Sequence, residues 1–270
     1  MIEWFSNADA KPRGLVLVVH GLNLKPDRMR GIISILMDDD LDVLLLSLQG
    51  HGSNFKKQEG KSDAISRLNA LKEVSAEIWR SEMQAAHAAL SRRADSLNCP
   101  VYFVAYSLGG LLGCDLQLSF NHPVFAKMVL FAPALATHRI RVPFFRLFHL
   151  FSRLVIPSLS PESYRSNRGT SVAAYLSLLN IIRAFKARAS INLNIPTLVF
   201  IDRNDELVSL SKVNQLIADH QLDQWRVYPI ERHPDQLRYP FYHLLIDEEA
   251  TGSDLWAEIR QMMINHLSPG

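Results

Sequence analysis

Short, nearly unbroken apolar runs alternate along the chain with longer stretches in which apolar residues recur every three or four positions. Residues 15–19, 43–48 and 101–105 are almost entirely aliphatic or aromatic. A strand with one face in water alternates apolar and polar residues, so an unbroken run predicts a strand buried on both faces, as in parallel sheets. Residues 128–131, 197–201 and 225–229 extend the series, and residues 1–5 read as an edge strand. Helical spacing covers 26–37, 68–94, 107–118, 210–218 and 255–266, the last following Ser253, a residue type that caps helices. Strands alternating with helices predict an α/β fold, a mostly parallel central sheet with helices on both faces.

The alternation stops between Pro133 and Ile195. Two apolar clusters, 142–151 and 172–182, occur there with no strand-like unit separating them. A plain crossover needs far fewer residues. The expected division is therefore a core of residues 1–134 and 195–270 and an inserted helical cap, or lid, at 135–194. The cap would lie over the carboxyl edge of the sheet, where open α/β folds bind ligands. Two ordinary crossover helices are the simpler alternative.

Composition narrows the class of protein without choosing a function. With 48% hydrophobic residues, 21% charged residues and a net charge of +2, the chain reads as an ordinary soluble globular protein, and no nucleic-acid partner is called for. Two cysteines in 270 residues imply no disulfide framework and point to a cytoplasmic setting. The first residues do not read as an export signal, and no apolar run reaches the roughly 18 residues of a spanning helix.

Candidate chemistry centres on Ser107. In the segment Ala105-Tyr-Ser107-Leu-Gly109 a strand-like run ends on a serine flanked by small residues two positions away on each side. That is the pattern of a nucleophile elbow, a sharp strand-to-helix turn that lifts the hydroxyl above the sheet, and the plain alternative is a helix-capping serine. A serine nucleophile needs a histidine to take its proton and an acid to fix the histidine's tautomer, in the chain order serine, acid, histidine. Asp205, with Asp202 and Glu206 as competitors, supplies the acid after a strand end. His243, with His233 as rival, supplies the base from a loop with apolar neighbours. Backbone N–H groups of Leu108 and of Leu22, in the turn His20-Gly21-Leu22, would form the oxyanion hole.

Together His20-Gly21-Leu22, Gly50-His51-Gly52-Ser53, Ala105-Tyr-Ser107-Leu-Gly109, Asp205-Glu-Leu-Val208 and His243 resemble the α/β-hydrolase superfamily over nearly the whole chain. The chain most resembles the branch of monoacylglycerol lipases and carboxylesterases, whose motifs the serine aminopeptidases share. Two positions depart from that pattern. Gln49 replaces the arginine usual before Gly-His-Gly, and Asp202 replaces a glycine three residues before the acid, so that Asp202 would have to adopt a glycine-like backbone conformation.

The resemblance implies a serine hydrolase acting on an acyl ester or lipid without metal or organic cofactor. Phe144, Phe145, Phe148 and Phe151 would line the acyl pocket. Arg139, Arg141, Arg146 and Arg153 interleave with apolar residues in that region, a pattern suited to peripheral membrane contact through the cap. A peptidase or amidase of the same fold is the first alternative, and a non-catalytic binding protein is the second. Glu162 is the only carboxylate in residues 135–194, which offers little to a substrate ammonium.

Overall fold

The computed structural model describes residues 1–7, 11–138 and 152–268. Among these, β1 (Ile2–Phe5), β2 (Gly14–Val19), β3 (Leu41–Leu46), β4 (Val101–Tyr106), β5 (Lys127–Phe131), β8 (Thr197–Asp202) and β9 (Trp225–Ile230) form one sheet. A separate ribbon is built from β6 (Val155–Pro157) and β7 (Gly169–Ser171). The strand order of the main sheet is β1-β3-β2-β4-β5-β8-β9. Only β1 runs antiparallel to its neighbour.

The unbroken apolar runs have the predicted cause. Successive strand side chains point to opposite faces, and here both faces are covered. Leu15, Leu17 and Val19 of β2, with Phe103 and Ala105 of β4, enter one core layer. That layer is closed by α3 (Ala76–Leu97), α4 (Leu108–Gln117), α5 (Val172–Arg188) and α6 (Leu210–Asp219). Val16, Val18, Tyr102 and Val104 enter the other layer, under α1 (Arg30–Met37) and α8 (Ser253–Leu267).

Two sequence expectations need correction. The long helical pattern over 68–94 is two helices, α2 (Asp63–Lys72) and α3. Glu73 ends the first, and the Ser75 side chain accepts from the Ile78 N–H to start the second. A capping serine inside a periodic stretch overrides continuous helical spacing. Second, a strand-like unit does separate the two apolar clusters, because β6 and β7 pair antiparallel. Each has three residues, too few for an alternating pattern to show.

After that ribbon, α5 packs against α4, α2 and α3 and returns the chain toward β8. Its Ile181 and Phe185 are fully buried. Residues 142–151, with Phe144, Phe145, Phe148 and Phe151, lie outside the described residues, as do Arg139, Arg141 and Arg146. Among the described residues no helix is long and apolar enough to cross a membrane, and no group of three or more acidic, histidine or cysteine side chains could hold a metal ion.

Candidate active site

The order of the parallel strands brings three loops together at the carboxyl ends of β2, β4 and β8. Ser107 follows β4 and takes the cap position of α4, with φ 52° and ψ −111°. Such a conformation costs an L-residue roughly 1–3 kcal/mol and persists only where the surroundings enforce it. The Ser107 N–H donates to the Phe131 carbonyl at 2.9 Å, and its own carbonyl accepts from Ala134 N at 3.0 Å, so the end of β5 grips the turn from both sides. A Cβ on Gly109 would stand 2.4 Å from the Val19 carbonyl oxygen, which explains the small residue after the serine. Ala105 places its methyl in the core layer instead. The Ser107 hydroxyl makes no capping bond. It lies 2.9 Å from His243 Nε2.

His243 sits in the loop between β9 and α7 (Glu248–Thr251). Its Nδ1 is 2.8 Å from Asp205 Oδ2, so Nδ1–H donates to the carboxylate and Nε2 is left to accept the hydroxyl proton. Asp205 Oδ1 accepts from the N–H groups of Leu207 and Val208, both at 2.8 Å. Burial works against the charge of Asp205, but His243 and these two donors outweigh it and hold the carboxyl below its ordinary value.

The other two acids act on the same loop in different ways. Glu206 accepts from the backbone N–H groups of Tyr242 and His243 at 3.1 and 3.2 Å. Asp202 forms an ion pair with Arg232, Nε to Oδ2 at 2.8 Å, with both side chains at most 2% exposed. Arg232 then donates to the carbonyls of Tyr242, Leu244 and Ala250. Two of these carbonyls flank His243 in sequence, so a buried cation clamps the peptide on each side of the ring. Asp202 is the extended last residue of β8 and does not adopt a positive φ. The glycine-like conformation expected of it is not needed for Asp205 to reach the imidazole. His233, the rival base, is exposed beside the clamp.

The loop after β2 lies against the serine. A Cβ on Gly21 would come within 3.2 Å of Ser107 Cβ and 2.6 Å of the Tyr106 ring. No described acceptor takes the N–H of Leu22 or Leu108. Beneath this loop, two fully buried histidines act as neutral spacers. His20 Nε2 accepts from Leu48 N at 3.0 Å while Nδ1 bonds the Gly21 carbonyl at 2.8 Å. His51 Nε2 accepts from Asn23 N at 2.8 Å while Nδ1 meets the Gln49 carbonyl at 3.1 Å. Asn23 and Asn167 exchange bonds, Asn167 N to Asn23 Oδ1 at 2.9 Å and Asn23 Nδ2 to the Asn167 carbonyl at 3.1 Å. These links, like Arg232, were not visible in the sequence. The only signal for Arg232 was an acid at a buried strand end, which requires a cation.

The buried histidines make stability fall in acid. Burial lowers His51 to about 4 and pushes His20 well below its ordinary value. An unfolded histidine binds a proton near pH ~6.5, so between that pH and about 4 the unfolded chain holds protons that the folded chain refuses. Stability therefore decreases as pH falls through this window, by about 3 kcal/mol from His51 alone. Thermal melts at neutral pH and near pH ~4.5 should show a clear drop in midpoint, and coincident midpoints would contradict the neutral-histidine assignment.

A family model described as serine aminopeptidase, S33, matches residues 10–173. No curated protein sequence matches the chain. Among solved structures, one described with LipS and LipT, two metagenome-derived lipolytic enzymes, is 19% identical. It covers 98% of this chain and 96% of its own, with a TM-score of 0.71. A monoacylglycerol lipase from Paleococcus ferrophilus is 16% identical, covering 98% of both chains with a TM-score of 0.68. A soluble variant of monoglyceride lipase from Saccharomyces cerevisiae is 11% identical, covering 100% of this chain and 92% of its own, with a TM-score of 0.74. Identities this low speak to the fold, and the fold they share with this chain is that of the α/β hydrolases.

Proposed function

Because the chain belongs to the serine aminopeptidase S33 family of α/β hydrolases, we propose that it is a serine hydrolase cleaving carboxylic esters through an acyl-enzyme on Ser107. The observation that carries this reading is His243, bonded at once to Asp205 Oδ2 at 2.8 Å and Ser107 Oγ at 2.9 Å. In the first half-reaction Ser107 Oγ attacks the ester carbonyl carbon while His243 Nε2 takes the hydroxyl proton. The N–H groups of Leu22 and Leu108 receive the oxyanion, a contribution of about 100-fold to 1,000-fold per donor. His243 then gives the proton to the departing alkoxide, and the alcohol leaves. In the second half-reaction His243 deprotonates water, which attacks the acyl carbon, and Ser107 regains its proton as the acid departs.

The acyl chain is assigned to the apolar segment bearing Phe144, Phe145, Phe148 and Phe151, on sequence grounds. A fluorophosphonate probe should label Ser107 in the folded protein, and p-nitrophenyl esters should be turned over with a preference for medium or long chains. Absence of labelling would favour a binding protein that keeps only the fold. Strict preference for the shortest esters would remove the acyl-pocket assignment. Faster cleavage of aminoacyl amides than of esters would favour the peptidase alternative.

A further inference from the structure

Tyr164 lies in the inserted segment, fully buried, with a hydroxyl that takes no part in the proposed proton transfers. Its backbone carbonyl accepts from the Lys25 N–H at 2.7 Å. Lys25 stands three residues after Leu22. The same stretch is held by the Ser166 N–H on the Asn23 carbonyl and the Ser166 hydroxyl on the Leu24 carbonyl, both at 2.8 Å. The side chain of Tyr164 reaches the other way and donates to Asp247 Oδ1 at 2.6 Å. One residue thereby joins the loop that carries Leu22 to the loop that carries the base.

The bond to Asp247 bears on His243 in two steps. Asp247 Oδ1 also accepts from the Ala250 N–H at 3.0 Å and so sets the turn of α7. The Ala250 carbonyl accepts from Arg232 Nη1 at 2.9 Å, the same nitrogen that donates to the Leu244 carbonyl at 3.0 Å. Leu244, Leu245 and Ile246, which lie between His243 and Asp247, are all buried. A tether at Asp247 therefore fixes the far end of the segment that Arg232 clamps at its near end.

Tyr164 itself has no room to turn aside. The Arg28 guanidinium lies 3.7 Å from its ring centre and is anchored by Asp247 Oδ2 at 2.7 Å and Glu249 Oε2 at 2.6 Å. The Tyr239 ring meets it edge-on with centres 5.5 Å apart, and Tyr239 donates to Glu249. Burial and the bond to Asp247 push the Tyr164 hydroxyl far above its ordinary value, so it stays a donor wherever an imidazole can act as a base. Reacting groups need to be held to about 0.5 Å by neighbours whose own rotamers are locked, and Tyr164 is such a neighbour.

We infer that Tyr164 is a positioning residue that brackets the Leu22 loop and the His243 loop, so that the inserted segment contributes to the geometry of the triad. The inference rests on the hydrolase reading above and adds a residue to that same site.

The test compares Tyr164→Phe, Asp247→Ser and their combination with Tyr239→Phe, a control that loses a hydroxyl from the same cluster without freeing Asp247. Phenylalanine keeps the ring beside Arg28. Serine keeps a cap for α7 and leaves Arg28 its bond to Glu249, but is too short to meet Tyr164, and it reads the same tie should Tyr164→Phe not fold. Because about 1 Å of displacement costs about 100-fold, partial release of the loop should lower kcat by about tenfold per site labelled by fluorophosphonate, with KM within about twofold. The pH profile should fall in height without changing shape. The combination should be no slower than Asp247→Ser alone, since both substitutions cut one tie, and Tyr239→Phe should match wild type. Unchanged kcat in Tyr164→Phe, additive losses in the combination, or an equal loss in Tyr239→Phe overturns the bracket, while labelling of Ser107 and turnover by the wild type leave the hydrolase reading in place. Should the wild type neither label nor turn over esters, amide hydrogen exchange across residues 242–247 decides the bracket on its own. Faster exchange in Tyr164→Phe than in Tyr239→Phe supports it, and equal exchange overturns it.

Discussion

Ser107→Ala is expected to remove ester turnover, by on the order of 10⁴-fold to 10⁶-fold, while leaving the fold in place. The size follows from the geometry. Among the described residues no other hydroxyl is bonded to His243 Nε2, so the variant keeps the proposed oxyanion donors but has no atom to carry the acyl group. What survives would be the residual acceleration from binding and backbone N–H groups. The fold is expected to persist because the turn is gripped by the backbone bonds to Phe131 and Ala134, not by the hydroxyl. Alanine inherits the same unfavourable φ of 52°. Ser107→Gly would relieve that strain and should melt above Ser107→Ala, since glycine tolerates positive φ. Steady-state hydrolysis of p-nitrophenyl esters checks the first claim and thermal melts the second. Undiminished turnover in Ser107→Ala would end the nucleophile assignment.

Arg232→Met should damage both stability and rate, although Arg232 touches none of the reacting atoms. Its removal leaves Asp202 buried without a counter-ion and strips a donor from three carbonyls. Breaking a buried pair from one side typically costs about 3–5 kcal/mol. The loss should depend on pH in a definite direction. Burial already raises the Asp202 carboxyl, against the pull of Arg232, and without the arginine the folded state would favour the protonated acid further. The variant's deficit is therefore smallest in acid, below the unfolded aspartate value near ~3.9, and grows as pH rises through the folded value.

Asp202→Asn in the same chain removes the stranded charge and should return part of the stability, but not the rate. Once its flanking carbonyls are released His243 can drift, and a displacement of about 1 Å is enough to lose 100-fold. The loss should fall on kcat more than on KM. A double variant that recovers full turnover along with stability would show that Arg232 does not position the histidine.

What could be read from the chain and what could not divide along physical lines. Parallel strands buried on both faces leave unbroken apolar runs, so β2, β3, β4, β5, β8 and β9 were visible with small errors at their ends. Ser107 was visible because a strained turn demands small neighbours, and Asp205 and His243 because chain order restricts which loops can meet it. The choice of Asp205 over Asp202 and Glu206 was harder, since all three fall within five residues of one loop. Only the side-chain directions separate one acid on the imidazole, one on its backbone N–H groups and one on its clamp. Arg232, Asn167 and the paired histidines His20 and His51 were not visible as positioning groups. Their bonds join side chains to backbone groups far away in sequence, and such bonds leave no periodic trace. The break between α2 and α3 was present in the sequence as Ser75, but the helical spacing on either side concealed it.

The segment inserted between β5 and β8 is stitched to the core at two points that matter for the site. Asn167 locks onto Asn23 in the loop after β2, and Tyr164 donates to Asp247 at 2.6 Å just beyond His243 while Arg28 lies 3.7 Å from the centre of its ring. An insertion tied in this way is not an interchangeable module. A foreign segment in its place would arrive without the partners of Asn23 and Asp247. A graft or a recombination event that respected only the strand boundaries would disturb the loop after β2 and the loop of His243 in the same stroke.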